Sequence, residues 1–471
     1  MSYYLACMPD LWIKQSCRVS LSYHQFERIF SRPVIRADQP WEKEINLYGS
    51  VLQESSGLYR CWYQILNRNK NFLKEFEMCV GYAESIDGLN WIKPKSGLII
   101  DSFGKTNIVI ASTGLTDLCS PSVVNIGNQD LDFPYRMVFF DAMYPQDLER
   151  YGYPFEISNN VEGWKSIKGE GIFLAKSRDG LIWIRDLLPI FSGPIDACSL
   201  AYSKKLLLLT HKFSDHPTRH HRLINLAMSK DAGNSWSDTK TILSPDYLDP
   251  IGTEFYNLSV LPYEEYLLGL LSVYHNAADA KHLDIQLVAA KDIDNPQKKW
   301  IRLNNRKPLL KCGDSGDWDA GRVYPASNLI YKNLGEDNEE IWLYYGAANT
   351  RHDDRRYIER HIGVSKIRKD GFASMFSDYR SGWIVSNWMS CKVGSTQFIF
   401  NINANHGSIN INFDFGFGWN DNICIKDIDS TRYILIIPIK GNSFRLKFEL
   451  TNANIYGWGF TSLTNEQDLL V

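Results

Sequence analysis

The chain reads as all-β, and three observations carry that reading. A short turn-forming motif recurs along the first three-quarters of the sequence, and pairs of strand-like runs precede its copies. Helical periodicity is almost absent over this span. After residue 368 the pattern changes to clear alternation with Asn, Gly and Asp in the loops. Together these predict a five-bladed β-propeller followed by a C-terminal β-sandwich.

The repeat comes first. Ala83–Trp91 reads Ala-Glu-Ser-Ile-Asp-Gly-Leu-Asn-Trp, Ala175–Trp183 reads Ala-Lys-Ser-Arg-Asp-Gly-Leu-Ile-Trp, and Ala227–Trp236 reads Ala-Met-Ser-Lys-Asp-Ala-Gly-Asn-Ser-Trp. A looser copy runs from Ala289 through Asp292 and Asp294 to Trp300, and a degenerate one from Val364-Ser365 through Asp370-Gly371-Phe372. Asp accepts hydrogen bonds from backbone amides in a tight turn, and Gly supplies the positive φ such a turn needs. The Trp is expected to pack on the sheet of its own unit.

The strands follow from what precedes each copy. Leu47–Leu52 with Leu58–Ile65, Pro121–Ile126 with Tyr135–Phe140, Ala197–Ser203 with Lys205–His211, Phe255–Leu261 with Tyr266–His275, and Val323–Tyr331 with Glu340–Ala347 are rich in Val, Leu, Tyr, Phe and Trp. With the strands entering and leaving the turn, each unit supplies four antiparallel strands. Gly382–Val385, Gln397–Ile402, Ile409–Phe413, Tyr433–Ile437 and Phe444–Leu450 read as strands of a separate sandwich. The expected division is an N-terminal extension over 1–30, the propeller over 31–368 as the catalytic domain, and the sandwich over 369–471.

Composition bounds the function. A 471-residue chain that is 44% hydrophobic can bury a large core. Its net charge of −3, without a basic stripe, argues against a nucleic-acid partner. No signal peptide and no membrane span is read, so a cytoplasmic location is expected. The nine cysteines are scattered without a Cys-x-x-Cys pair, which predicts buried free thiols. No phosphate-binding loop, dinucleotide fingerprint, serine elbow or His-Glu-x-x-His helix is present. No cofactor is expected and no metal-ligating residues are marked, with a calcium ion in the propeller channel left open.

Chain direction places the chemistry. The Asp-Gly turns lie at the end opposite the starts of the innermost strands, so Asp87, Asp179 and Asp231 are expected to be scaffold. The inner-strand starts bring carboxylates together: Asp38, Glu42, Glu44, Asp117, Asp196, Asp249, Glu254, Asp317 and Asp319. Clustered acids raise one another's pKa, the condition for pairing a proton donor with an ionised base or nucleophile. The returning strands end on Gln64, Asp141, His211 with Lys212, His275 with Asn276, and Asn349 with His352. Trp41, Tyr48, Tyr256, Tyr274 and Tyr324 offer rings on which a sugar face can stack. Asp319 with Arg322 would hold a sugar hydroxyl or an anionic group. Two basic knots, Thr218–Arg222 and Arg351–Arg356, would form a rim that recognises phosphate or carboxylate.

The order of motifs resembles the clan of five-bladed propeller glycosidases that includes glycoside hydrolase families 32, 43 and 68, and most closely a set of family-32-like bacterial proteins. The stretches that carry it include Pro40-Trp41-Glu42, Tyr59–Tyr63, Ser120–Val123, Tyr135–Phe140, Glu254-Phe255-Tyr256, Trp318–Tyr324, Tyr344–Ala347 and Arg368–Ser374. The family 32 signature Asn-Asp-Pro-Asn-Gly is missing, and Leu47-Tyr48-Gly49-Ser50 stands in its place. The resemblance implies a base or nucleophile on the first blade (Glu42 or Asp38), an orienting acid on the second (Asp117) and a general acid on the third (Asp196), with Glu254 as rival for the acid. It implies a glycosidase acting on a carbohydrate, a furanoside or related glycan. A transferase in bacterial surface-polysaccharide assembly and a non-catalytic carbohydrate-binding propeller are the alternatives.

Overall fold

A computed structural model describes residues 2–66, 78–101, 103–113, 115–151, 157–159, 165–167, 169–193, 195–214, 221–277, 281–292, 294–335, 337–352, 354, 358–439 and 441–463. Among these, nearly all regular structure is β-strand, with helical turns only at Pro9–Leu11, Gly127–Gln129, Pro145–Arg150 and Asn304–Arg306. No helix among the described residues is long and apolar enough to cross a membrane. The chain divides into two compact units, one of residues 27–330 and 343–365, the other of 1–26, 331–342 and 366–471.

The larger unit is a succession of antiparallel meanders. The first runs Glu44–Gln53, Tyr59–Leu66, Met78–Ser85 and Ile108–Ala111. The second runs Cys119–Asn125, Tyr135–Ala142 and Glu170–Ser177, with Trp183–Arg185 and Phe191–Ser192 sharing its outer edge. The third runs Cys198–Ser203, Leu206–Ser214, Arg222–Ser229 and Lys240–Leu243. A larger sheet holds two more. Thr253–Tyr263, Tyr266–His275 and His282–Ala290 form the fourth, and Arg322–Pro325 pairs with Tyr345–Ala348 in the fifth. One parallel bridge, Leu283 to Arg322, joins these two.

Each meander covers its neighbour. Tyr59–Leu66 and Tyr135–Ala142 are buried along their whole length, so they read as nearly continuous apolar runs rather than as alternation. Trp62, Tyr82, Val123, Met137 and Phe173 form one apolar cluster between the first and second meanders. Val138, Leu174, Leu200 and Leu209 join the second to the third, and Ile224, Leu226, Phe255 and Val273 join the third to the fourth.

The recurring motif makes one turn three times. Asp87 Oδ1 accepts the amides of Leu89 and Asn90 at 2.8 Å each, and Asp179 Oδ1 those of Leu181 and Ile182. Asp231 takes the Ser235 amide. Gly88 and Gly180 hold φ of 79° and 74°, where a side chain would be strained. Trp91, Trp183 and Trp236 donate their indole N–H to the turn-glycine carbonyls Gly88, Gly180 and Gly233. Trp91 meets Tyr344 of the fifth meander edge-on, and Trp183 meets Trp62 of the first, because the turn reaches past its own sheet.

That reach links neighbours in order. Trp62 Nε1 donates to the Gly180 carbonyl, Arg136 Nε to that of Ala232, and Tyr344 Oη to that of Gly88. The last of these joins the fifth meander to the first, as does the Ser327 amide bonded to the Gly49 carbonyl at 2.9 Å. The looser copy keeps the device, with Asp292 accepting amides and Trp300 donating to the Pro296 carbonyl. The degenerate copy does not: Asp370, fully buried in the smaller unit, takes Tyr3 Oη and Asn401 Nδ2 instead.

The smaller unit has two sheets around one apolar cluster, which includes Phe398, Phe400, Phe444, Phe448, Trp458 and Phe460. The sequence gives the first thirty residues no pattern. Ser2–Leu5, Ile13–Cys17 and Ser20–Tyr23 each pair with a strand of these sheets. Trp419–Lys426 is a further strand that the sequence pattern does not suggest, and Ala453–Ser462 forms the last strand. The run read as Val323–Tyr331 breaks into Arg322–Pro325 and Ile330–Asn333. All nine cysteines are free, but Cys17 and Cys424 are exposed rather than buried.

Candidate active site

At the end where the inner strands begin, their register is broken. The pairing of Glu44–Gln53 slips between Asn46 and Ser50, that of Cys119–Asn125 between Cys119 and Ser122, and that of Thr253–Tyr263 between Phe255 and Asn257. A β-bulge turns a side chain out of the regular alternation and bends its strand. The residues lifted out include Tyr48 and Tyr256. Their rings gather with Tyr324, Tyr274 and Leu283 in one apolar patch, with centroids of Tyr48 and Tyr324 4.7 Å apart and of Tyr256 and Tyr324 6.5 Å apart.

Charges stand on this patch. Lys212 Nζ lies 4.7 Å from the Tyr256 ring centroid and the Arg222 guanidinium carbon 5.3 Å from it. Lys212 pairs with Asp196, and Arg222 Nη1 with Glu254 Oε2 at 2.5 Å. The other Glu254 oxygen accepts Asn276 Nδ2 at 2.6 Å, and Lys281 Nζ in turn holds Asn276. Tyr256 Oη and His352 Nε2 are 2.8 Å apart. Burial would raise the pKa of Asp196, but Lys212, then Arg222 and His352, outweigh it and hold the carboxyl below its ordinary value. Burial, then the negative charge of Asp196, keeps the Tyr256 phenol protonated far above neutral pH.

The expected site residues separate into those gathered here and those held elsewhere. Asp196, Glu254, Tyr48, Tyr256 and Tyr324 come together. Asp117 is near enough, after burial and Asp196, to help raise the pKa of the Cys119 thiol. Arg322 is 1% exposed; its Nη1 donates to the carbonyls of Arg351 and His352, while Nε and Nη2 have no partner among the described residues. His211 is buried, bonded through Nδ1 to the Lys212 carbonyl, and burial lowers its pKa so that it is neutral. His275 bonds to Asp284.

Glu42 is saturated. It accepts Tyr63 Oη at 2.6 Å, Lys93 Nζ at 2.5 Å and the amides of Asp38 and Gln39. Asp38 is exposed and shares Lys93. Trp41 is buried and donates to Asn107. Among the described residues Asp319 pairs with Arg28 rather than Arg322: its Oδ2 accepts Arg28 Nε at 2.6 Å and Tyr345 Oη at 3.1 Å, and the residue is 1% exposed. Glu44 pairs with Arg360, and Asp249 with Arg302 and Arg306. Asp317 caps its own loop through the Asp314 amide. Of the basic knots, Thr218, Arg219, His220, Asp353, Arg355 and Arg356 lie outside the described residues. Arg222, which the sequence offers only as part of a basic knot, is the partner of Glu254.

No family model matches the chain, and no curated protein does. Among solved structures, it is similar to an N-acetylgalactosamine deacetylase from F. plautii in complex with blood group B trisaccharide, at 14% identity, covering 75% of this chain and 96% of that one with a TM-score of 0.46. A thermostable family-43 glycoside hydrolase matches at 15% identity over 72% of this chain and 95% of that one, with a TM-score of 0.44. A Bombyx mori GH32 beta-fructofuranosidase matches at 10% identity over 90% of this chain and 93% of that one, with a TM-score of 0.43.

Proposed function

We propose that the larger unit is a five-bladed propeller, the smaller a β-sandwich, and the chain a hydrolase that cleaves a furanoside or related glycan at the end where the inner strands begin. One observation carries the reading: two carboxylates, Asp196 and Glu254, stand over a tyrosine patch and share the field of Arg222. Aromatic faces stack on sugar rings, and paired carboxyls perform glycosidic cleavage.

The blade-by-blade resemblance gives Asp196 the part of general acid. Its depressed pKa fits the ionised partner better, a base or nucleophile present as the anion at neutral pH. Glu254 is the second carboxyl, released by substrate from Arg222 or Asn276. The test is release of reducing sugar from a panel of furanosides and pyranosides. Wild type should turn over at least one member, and Asp196→Asn should lose about 10²–10⁴-fold in turnover with its melting curve retained. A folded Asp196→Asn chain with full activity overturns the assignment.

A second reading, transfer of a sugar or substituent from a phosphate-activated donor, is favoured by the guanidinium atoms of Arg322 that have no partner among the described residues. Donor consumption that requires an acceptor glycan would select it over hydrolysis.

A further inference from the structure

His275 and His282 face each other as cross-strand partners on Tyr266–His275 and His282–Ala290. Asp284 stands two residues beyond His282, on the same face of its strand. One nitrogen of each imidazole and one carboxylate oxygen of Asp284 all lie within 4.8 Å of one another. His275 Nε2 is 2.9 Å from Asp284 Oδ2, and the two rings stack at 4.4 Å with 20° between their planes.

The carboxylate is supported from behind. Gln286 Nε2 donates to Asp284 Oδ1 at 3.3 Å, Arg302 holds the Gln286 carbonyl, and Asp249 holds Arg302. Metal-ligating carboxylates depend on such outer hydrogen bonds for their orientation. Further along the same face, Val273 and Val288 enter the buried cluster with Ile224 and Leu226. The triad therefore caps an apolar layer and stays reachable, with 21% of the His275 side chain and 8% of that of Asp284 exposed.

We propose that His275, His282 and Asp284 bind a first-row divalent metal ion, with zinc the best fit. Two imidazole nitrogens and one carboxylate oxygen suit zinc, and are too poor in oxygen for calcium or magnesium. Three protein ligands leave a fourth position for water or a ligand. The sequence alone marks no metal-ligating residues. Its spacing, His-x₆-His-x-Asp, becomes a cluster only when the hairpin pairs the two histidines. His275 adjoins Asn276, the residue that holds Glu254, so a bound ion would fix the strand end that positions this carboxylate.

The experiment uses the full-length, untagged chain, stripped with a chelator. Zn²⁺ is titrated by calorimetry, and Co²⁺ by the visible bands of a four-coordinate site. Wild type should take up one ion per chain. His282→Ala and Asp284→Asn should each weaken uptake by about tenfold or more. His282→Gln, closer in size, serves as a second variant, with the melting temperatures of the stripped proteins as the folding control. No stoichiometric uptake by wild type, or equal uptake by a folded His275→Ala/His282→Ala chain, overturns the proposal. Because uptake is read without substrate, the outcome is independent of the glycan reading.

Discussion

The two ends of the meanders in the larger unit obey different rules. At the turn end the same hydrogen bonds recur: a carboxylate takes backbone amides, an indole N–H takes the glycine carbonyl, and a residue of the neighbouring meander takes a carbonyl of the turn. At the other end repetition stops. Registers slip, cations lie over rings, and Arg322 Nε, Arg322 Nη2 and His211 Nε2 are buried without partners among the described residues. Repetition is what a scaffold needs, since each unit buries the next. Buried polar atoms left unpaired cost free energy, and a ligand that completes them offsets that cost.

Substitutions at the two ends should therefore separate turnover from stability. The largest effect is expected from Glu254→Gln. It should cost about 10²–10⁴-fold in turnover and about 1.5–3 kcal/mol in stability, because Arg222 loses the carboxylate it bonds and keeps only the field of Asp196 among the described residues. Adding Arg222→Met should restore much of the stability, read by denaturant unfolding, and none of the turnover. Recovery of both would make the pair a structural ion bridge. Next is Trp62→Ala, which deletes a fully buried indole that also bonds Gly180. It should cost about 3–5 kcal/mol while the remaining folded enzyme turns over normally. A kcat loss as large as that of Glu254→Gln would erase the distinction between the ends.

This contrast explains what was legible in the sequence. The scaffold was, because Ser-x-Asp-Gly-x-x-Trp encodes its turn locally: Ser, Asp and Trp all bond within a few residues of Gly. Where the turn sends its Trp was not legible, since that depends on the neighbouring sheet. Residues at the opposite end answered to partners far away in sequence. Glu42 and Asp319 read as site acids from their positions, yet Lys93 and Arg28, distant in the chain, pair with them. Tyr48 and Tyr256 were legible as rings at strand starts, while the bulges that gather them depend on cross-strand register. His282 and Asp284 were passed over because neither ends a returning strand.

The smallest expected effect is the part of the acid pH slope that the turn-end carboxylates contribute. In Asp87 and Asp179, burial pushes the pKa up and the amides of Asn90 and Leu89, or Ile182 and Leu181, outweigh it. In Asp231 the Ser235 hydroxyl and then its amide lower the value directly. All three folded pKa values lie below the unfolded value of about 3.9, so at low pH the unfolded chain binds more protons. Their stabilisation is then complete above that value and is lost as the pH falls below it. These carboxylates are largely solvated, which keeps each contribution small. Wild type should melt progressively lower from about pH 5 to about pH 2. An Asp87→Asn/Asp179→Asn/Asp231→Asn chain should melt below wild type near neutrality and converge on it in acid, because Asn neither titrates nor carries the charge the amides favour. Parallel melting curves for the two proteins would show that the turns hold by shape alone, and the charge would then matter only at the opposite end.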